Sequence, residues 1–255
     1  MVALVIRRPL LLASGFIGAL FLAWELLVAM NFSYPMWYRM LHIDETIQVY
    51  GPQNRNRHGF ENTTAPEQAR LFAAIVDAVD NRGRGLEQLE YLDAQGRPLG
   101  RLLTAPEIVH LKDVARLVHV FHLLGWTSLL CFVALALSLR RRPAGPAPVR
   151  KYLAYTGAVV VIAASGLAIL GPKNVFYTLH TWVFPAGHQW FFYYQDSLMT
   201  TLMQAPVLFA GIAVEWLLLT LVIFVPLILL ATRRSAFPPT VNGSPVHHQI
   251  DDHQH

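Results

Sequence analysis

The chain has a single cysteine, Cys131, in 255 residues. No internal disulfide and no Cys-x-x-Cys pair can form, which excludes quinone-linked disulfide exchange. Charge is also scarce: 14% of residues are charged against 54% hydrophobic, and mean hydropathy is +0.39. That balance is too apolar for an ordinary soluble domain of this length and points to a membrane protein. Internal repeats are absent, which argues against a transporter built from inverted halves. No Gly-x-Ser-x-Gly nucleophile elbow occurs. The formal net charge of +4 does not point to nucleic acid, because the basic residues sit beside apolar runs and not along one polar face.

Four apolar runs, 10–30, 118–139, 152–170 and 207–231, are near the ~20 residues that a bilayer core of ~30 Å requires. Arg7 and Arg8 precede the first, Arg140, Arg141, Arg142, Arg150 and Lys151 separate the second from the third, and Arg233 and Arg234 follow the fourth. By the positive-inside rule these clusters share the cytoplasmic side, together with both termini. The expected organisation is a cytoplasmic N-terminus and first span (1–30), an extracytoplasmic segment (31–117), the second span (118–139) and a basic cytoplasmic loop (140–151). The third span (152–170), an extracytoplasmic aromatic and histidine-bearing loop (171–206), the fourth span (207–231) and a cytoplasmic tail (232–255) complete it. The fold class expected is mainly α, a polytopic membrane protein of four transmembrane helices with a small α+β segment outside. The first run carries Glu25 and no Ala-x-Ala-like site at its end, so it reads as a span and not a cleaved signal. The His-rich end of the tail, after a Pro-rich stretch, reads as a solvated disordered segment.

Within 31–117, Thr64 with Glu67 three residues on is a capping signature for a helix that Gly83 and Gly85 stop. Leu71, Ile75 and Val79 recur at helical spacing. The next stretch alternates around Asp93-Ala94-Gln95-Gly96, which suggests a short hairpin. The capping signature returns at Thr104 and Glu107 and opens a helix expected to continue into the second span. His110 then stands about two turns above the apolar run, near headgroup level. Glu107, His110 and Asp113 follow at steps of three and share one face. Either carboxylate is placed to orient the imidazole, and a plain solvated helix face explains the same stripe.

In 171–206 the aromatic residues read first as an interfacial belt. His180 falls in a stretch apolar enough to bury it in part, where a titratable group is more often functional. His188, beside Gly187 in an expected turn, reads as surface. Polar residues at membrane depth are Glu25, His119, His122 and Glu215, all in the outer half of their spans. Such groups face a bundle interior and carry partners, either as glue between the two acids and the two histidines or as part of a polar pocket.

Two stretches carry a resemblance to a known family. Residues 107–117, EIVHLKDVARL, are similar to the Glu-x-x-His-Met-x-Asp-Val pattern of the lipoprotein intramolecular transacylases (Lit), bacterial four-span membrane proteins. Residues 176–199, FYTLHTWVFPAGHQWFFYYQDSLM, resemble that family's Phe-x-x-Phe-His segment with a following Trp and Asp. Leu111 stands where the family usually has Met, Leu179 where it has an aromatic, and Val207 where Glu is common. The resemblance implies transfer of the sn-2 acyl chain of a diacylglyceryl lipoprotein onto the amino group of its N-terminal cysteine, giving the lyso form, at the outer face of the bacterial cytoplasmic (inner) membrane. Histidine is the acid-base group left by the absence of a nucleophile motif, with His110 and His180 sharing the roles of base and acid in an unassigned order. Glu107 and Asp113 are expected to orient, and Trp190 and Asp196 to shape the site or hold substrate. No cofactor or metal is expected; the partners are diacylglyceryl-modified lipoproteins and the lipid bilayer, with no nucleic acid. Two other readings compete: a haem-binding subunit using His119, His122 and His180, and a non-catalytic membrane assembly factor.

Overall fold

The computed structural model describes residues 2–141 and 149–232. Most of the expected basic loop and the His-rich tail lie outside the described residues.

Helix α1 (Val2–Ala29) is mostly apolar, with Arg7 and Arg8 near its start and Glu25 near its end, and leads into a chain reversal. Asn31, Phe32 and Ser33 all have φ near +50° (48°, 51° and 53°), a left-handed run that costs energy for residues with a Cβ. Contacts offset it: Phe32 is buried, and Glu215 accepts hydrogen bonds from Ser33 Oγ (2.5 Å) and from Trp37 Nε1 (2.9 Å). Helices α2 (Tyr34–Met40) and α3 (Ile43–Tyr50) follow. Helix α4 (Ala65–Asp80) is capped by Thr64, whose side chain accepts from the Glu67 N–H as expected, while the Glu67 carboxylate turns instead to Arg70 and to the Leu92 N–H. The helix ends before Gly83 and Gly85, both at positive φ.

Strands β1 (Glu90–Leu92) and β2 (Pro98–Arg101) form the expected antiparallel hairpin, with Tyr91 opposite Gly100. Asp93 organises its turn: one carboxylate oxygen accepts from the Gln95 and Arg97 N–H groups (2.9 Å each), and the other from Arg97 Nε (2.7 Å).

Helix α5 (Ala105–Arg141) is continuous over 37 residues, so the capped start and the apolar run that follows it belong to one rod, as expected. At 1.5 Å per residue it reaches roughly 55 Å, longer than a bilayer core. Helix α6 (Val149–Leu170) covers the expected third run. The segment expected as an outer loop contains two helices, α7 (Pro172–Val183) and α8 (Leu198–Met203). Helix α9 (Val207–Thr232) completes the described chain. Among the described residues, three helical stretches, Arg7–Ala29, Ala105–Leu139 and Val207–Thr232, are long and apolar enough to cross a membrane.

Helix α1 packs against both α5 and α9. Its close approach to α5 depends on glycine: a Cβ on Gly125 would lie 2.2 Å from Phe21 Cγ, and one on Gly18 2.7 Å from Leu129 Cδ2. Small residues at such crossings let backbones approach where lipid supplies no hydrophobic drive for association. In the larger apolar core Leu27, Tyr34, Ile43, Phe60, Leu71 and Leu202 are buried together, uniting one end of the long helices with the segment between α1 and α5.

Candidate active site

His110 lies on α5 one turn above Val114, and His180 in the last turn of α7. Their ring centroids are 6.4 Å apart with planes inclined by 29°. Phe184 touches both rings, at 4.7 Å from His110 and 5.2 Å from His180. Phe176 packs on His180 at 3.9 Å and Trp190 at 5.0 Å, while Phe192 stands 6.0 Å from His110. The sequence separates the two histidines by 70 positions; the turn from α6 into α7 brings them together.

The hydrogen bonds define the roles open to each ring. His180 Nδ1 is 2.7 Å from the Phe176 carbonyl oxygen, which can only accept, so Nδ1 carries a proton and Nε2 presents a lone pair. Burial pushes the His180 pKa below its ordinary value, opposed by that carbonyl contact, so its neutral form is favoured. His110 Nδ1 is buried and has no hydrogen-bond partner.

Both imidazoles line one cavity of about 620 Å³. Its walls come from α1, α4, α5, α7, the segment before α8, and α9, and are almost wholly apolar, with Val28, Ile75, Val79, Leu117, Phe209 and Ile212 among them. Asp80 and Trp24 also line it. The two imidazoles thus stand in a mostly apolar lining.

The other expected site residues are placed as follows. Trp190 stands 5.0 Å from His180 between ring centroids. Glu107 does not touch His110: it is fully buried and accepts from the N–H and hydroxyl of Thr104 and from Ser197 Oγ, which in turn accepts from the Thr200 N–H at 2.8 Å. Asp113, also buried, accepts from His188 Nδ1 at 2.5 Å and Arg116 Nη1 at 2.9 Å. The two carboxylates flanking His110 therefore hold the chain that follows α7, at His188 and at Ser197. His188, read from sequence as surface, is thus engaged. Only its place three residues after an aromatic-Pro turn hinted at this, and no spacing rule links it to Asp113. Asp196 faces Arg55 (3.3 Å), outside the cavity lining.

Of the polar residues in the spans, Glu25 Oε1 and Asp80 Oδ1 lie 3.2 and 3.4 Å from His122 Nε2, so one expected acid-histidine pairing forms, joined by an acid from α4. His119 faces Arg82 (3.3 Å), and Glu215 serves the reversal after α1 and meets neither histidine. Among the described residues no group of three His, Cys, Asp or Glu is arranged to hold a metal ion.

Long apolar helices, and a pair of imidazoles in the lining of an apolar cavity, are the features of a helical membrane protein. Residues 83–205 match the model of the family described as lipoprotein intramolecular transacylase Lit, the family that the two motifs resemble. The matched stretch runs from the hairpin through α5, α6, α7 and α8 and contains both histidines. It supports a lipoprotein-modifying transferase in a membrane, acting on lipoprotein. No curated protein and no solved structure matches the chain.

Proposed function

We propose that this protein is an intramolecular transacylase, moving the sn-2 acyl chain of a diacylglyceryl lipoprotein onto the α-amino group of its own N-terminal cysteine. The observation that carries the reading is the His110–His180 pair in the lining of the apolar cavity. His180 Nε2 removes a proton as the free amine attacks the ester carbonyl; the acyl C–O bond breaks, the amide C–N bond forms, and the glyceryl oxygen receives a proton. His110, whose Nδ1 has no other partner, is positioned for that second transfer. Ester and amine belong to one molecule, so proximity supplies much of the rate and a covalent enzyme intermediate is not required. The apolar walls exclude water that would hydrolyse the ester.

Helix α6 is the fourth span in this reading, both termini are cytoplasmic, and the site faces outward from the bacterial inner membrane. The arginine distribution supports the orientation. An interfacial position for α7 is supported by Leu179, Trp182 and Val183, which are exposed on a helix adjoining α6. His119 and His122 are held by Arg82 and by two carboxylates, an arrangement that does not favour axial haem ligation.

The test is mass spectrometry of an N-terminal lipopeptide after co-expression with wild-type protein or with His110→Ala and His180→Ala variants. Wild type should yield a product in which one acyl chain has passed from glyceryl to amine, with unchanged total mass. Full yield from either stably inserted variant would sink the histidine mechanism.

A further inference from the structure

The chain between α7 and α8 forms one wall of the paired-imidazole site through Phe184, Trp190 and Phe192. It has no regular secondary structure across 184–197 apart from turns, so backbone ladders do not fix it. Two side-chain anchors tie it to α5. Ser197 donates to the fully buried Glu107, close to the start of α8. His188 donates from Nδ1 to Asp113, whose side chain is 5% exposed against 40% for His188. Glu107 and Asp113 lie one turn to either side of His110, so the two anchors straddle it.

We infer that the Asp113–His188 hydrogen bond is a positioning pair for the transacylation, holding Phe184 and Trp190 against His110 and His180. This rests on the function proposed above. His188 does not line the cavity, so its role runs through the aromatic wall and not through contact with substrate. The geometry explains why a buried carboxylate sits three residues from His110 without meeting it. Asp113 spends its two oxygens on His188 and Arg116, and of these only His188 belongs to the wall. A charge-assisted bond of 2.5 Å to a half-exposed residue is a strong local restraint on the stretch between Phe184 and Trp190. Without it that stretch is held by the ring contacts at its two ends, Phe184 on His110 and His180 and Trp190 on His180, and by the His188 N–H bond to Pro185 (3.1 Å) inside it.

The test uses the full-length protein in proteoliposomes with a synthetic diacylglyceryl lipopeptide. His188→Leu removes the donor and keeps the bulk; His188→Asn puts an amide nitrogen close to where Nδ1 stood. His188→Leu should lower kcat toward the ~10²-fold loss that a misplacement of about 1 Å costs, with KM little changed, and His188→Asn should recover most of it. Hydrogen exchange of 184–192 should rise in His188→Leu and Asp113→Leu while 65–80 stays protected. Wild-type kcat in His188→Leu, no recovery in His188→Asn, or unaltered exchange over 184–192 would each overturn the positioning role. If wild-type protein formed no lyso product, the proposed function would fail, and exchange would still decide whether the pair holds the wall.

Discussion

His180→Phe separates chemistry from packing at the proposed base. Phenylalanine keeps a planar ring against Phe176, Phe184 and Trp190, the contacts that hold His180 at 3.9, 5.2 and 5.0 Å. It loses both ring nitrogens. The Phe176 carbonyl gives up its contact with Nδ1 but lies inside α7, where the N–H of residue 180 is its regular helical partner, so no buried acceptor is orphaned. The variant should therefore insert and purify as wild type does. General acid-base catalysis supplies roughly 10² to 10⁴ in rate, which at 1.36 kcal/mol per decade is about 2.7 to 5.4 kcal/mol of barrier. A time course of lyso-form product on a synthetic lipopeptide, read by mass spectrometry, should slow by that factor. A loss under about threefold in a variant of unchanged thermal stability would refute the base role of His180 and move the chemistry elsewhere in the cavity.

Three further outcomes follow from the same structure. Because burial lowers the His180 pKa, its lone pair survives to lower pH than that of a free imidazole; in a pH-rate profile on proteoliposomes the His180 inflection should lie below ~6.5, beneath the separate fall set by protonation of the substrate α-amine at ~7.7 to 8.0, and an inflection at or above ~6.5 that His180→Phe removes would contradict it. Gly125→Leu drives a side chain into Phe21, where a Cβ alone would come within 2.2 Å, and should cost about 1 to 3 kcal/mol or prevent assembly, read as a lowered melting temperature in detergent; an unchanged Tm would mean that α1 and α5 do not cross there. Glu107→Leu removes the acceptor for Thr104 and Ser197 and should destabilise by about 1 to 3 kcal/mol for each stranded group, read as a lowered melting temperature; Ser197→Ala strands Glu107 Oε1 and the Thr200 N–H that Ser197 caps and should destabilise too, and a wild-type melting temperature in either variant would contradict these bonds.

Much of this architecture is determined by sequence-local rules. The caps at Thr64 and Thr104 mark helix starts because the groups involved lie within four residues of one another, and the Asp93 turn is legible for the same reason. The apolar runs mark α1, α5 and α9 because hydrocarbon demands length and apolarity, both countable along a chain. His110 and His180 were legible as candidates from their surroundings. What the histidines face was not. Steps of three placed Glu107 and Asp113 beside His110, yet a helix face states only direction, and the partners that occupy that direction, Ser197 and His188, are 90 and 75 residues away. The same holds for Glu215, whose depth predicted a partner but not that Ser33 and Trp37 would be the partners. Sequence alone determined the capped starts of α4 and α5, the apolar lengths of α1, α5 and α9 and which residues can exchange protons, but not the short helices α2, α3, α7 and α8. Only tertiary structure decided which of those residues meet, because the cost of a buried polar group requires that a partner exist without specifying from where in the chain it comes.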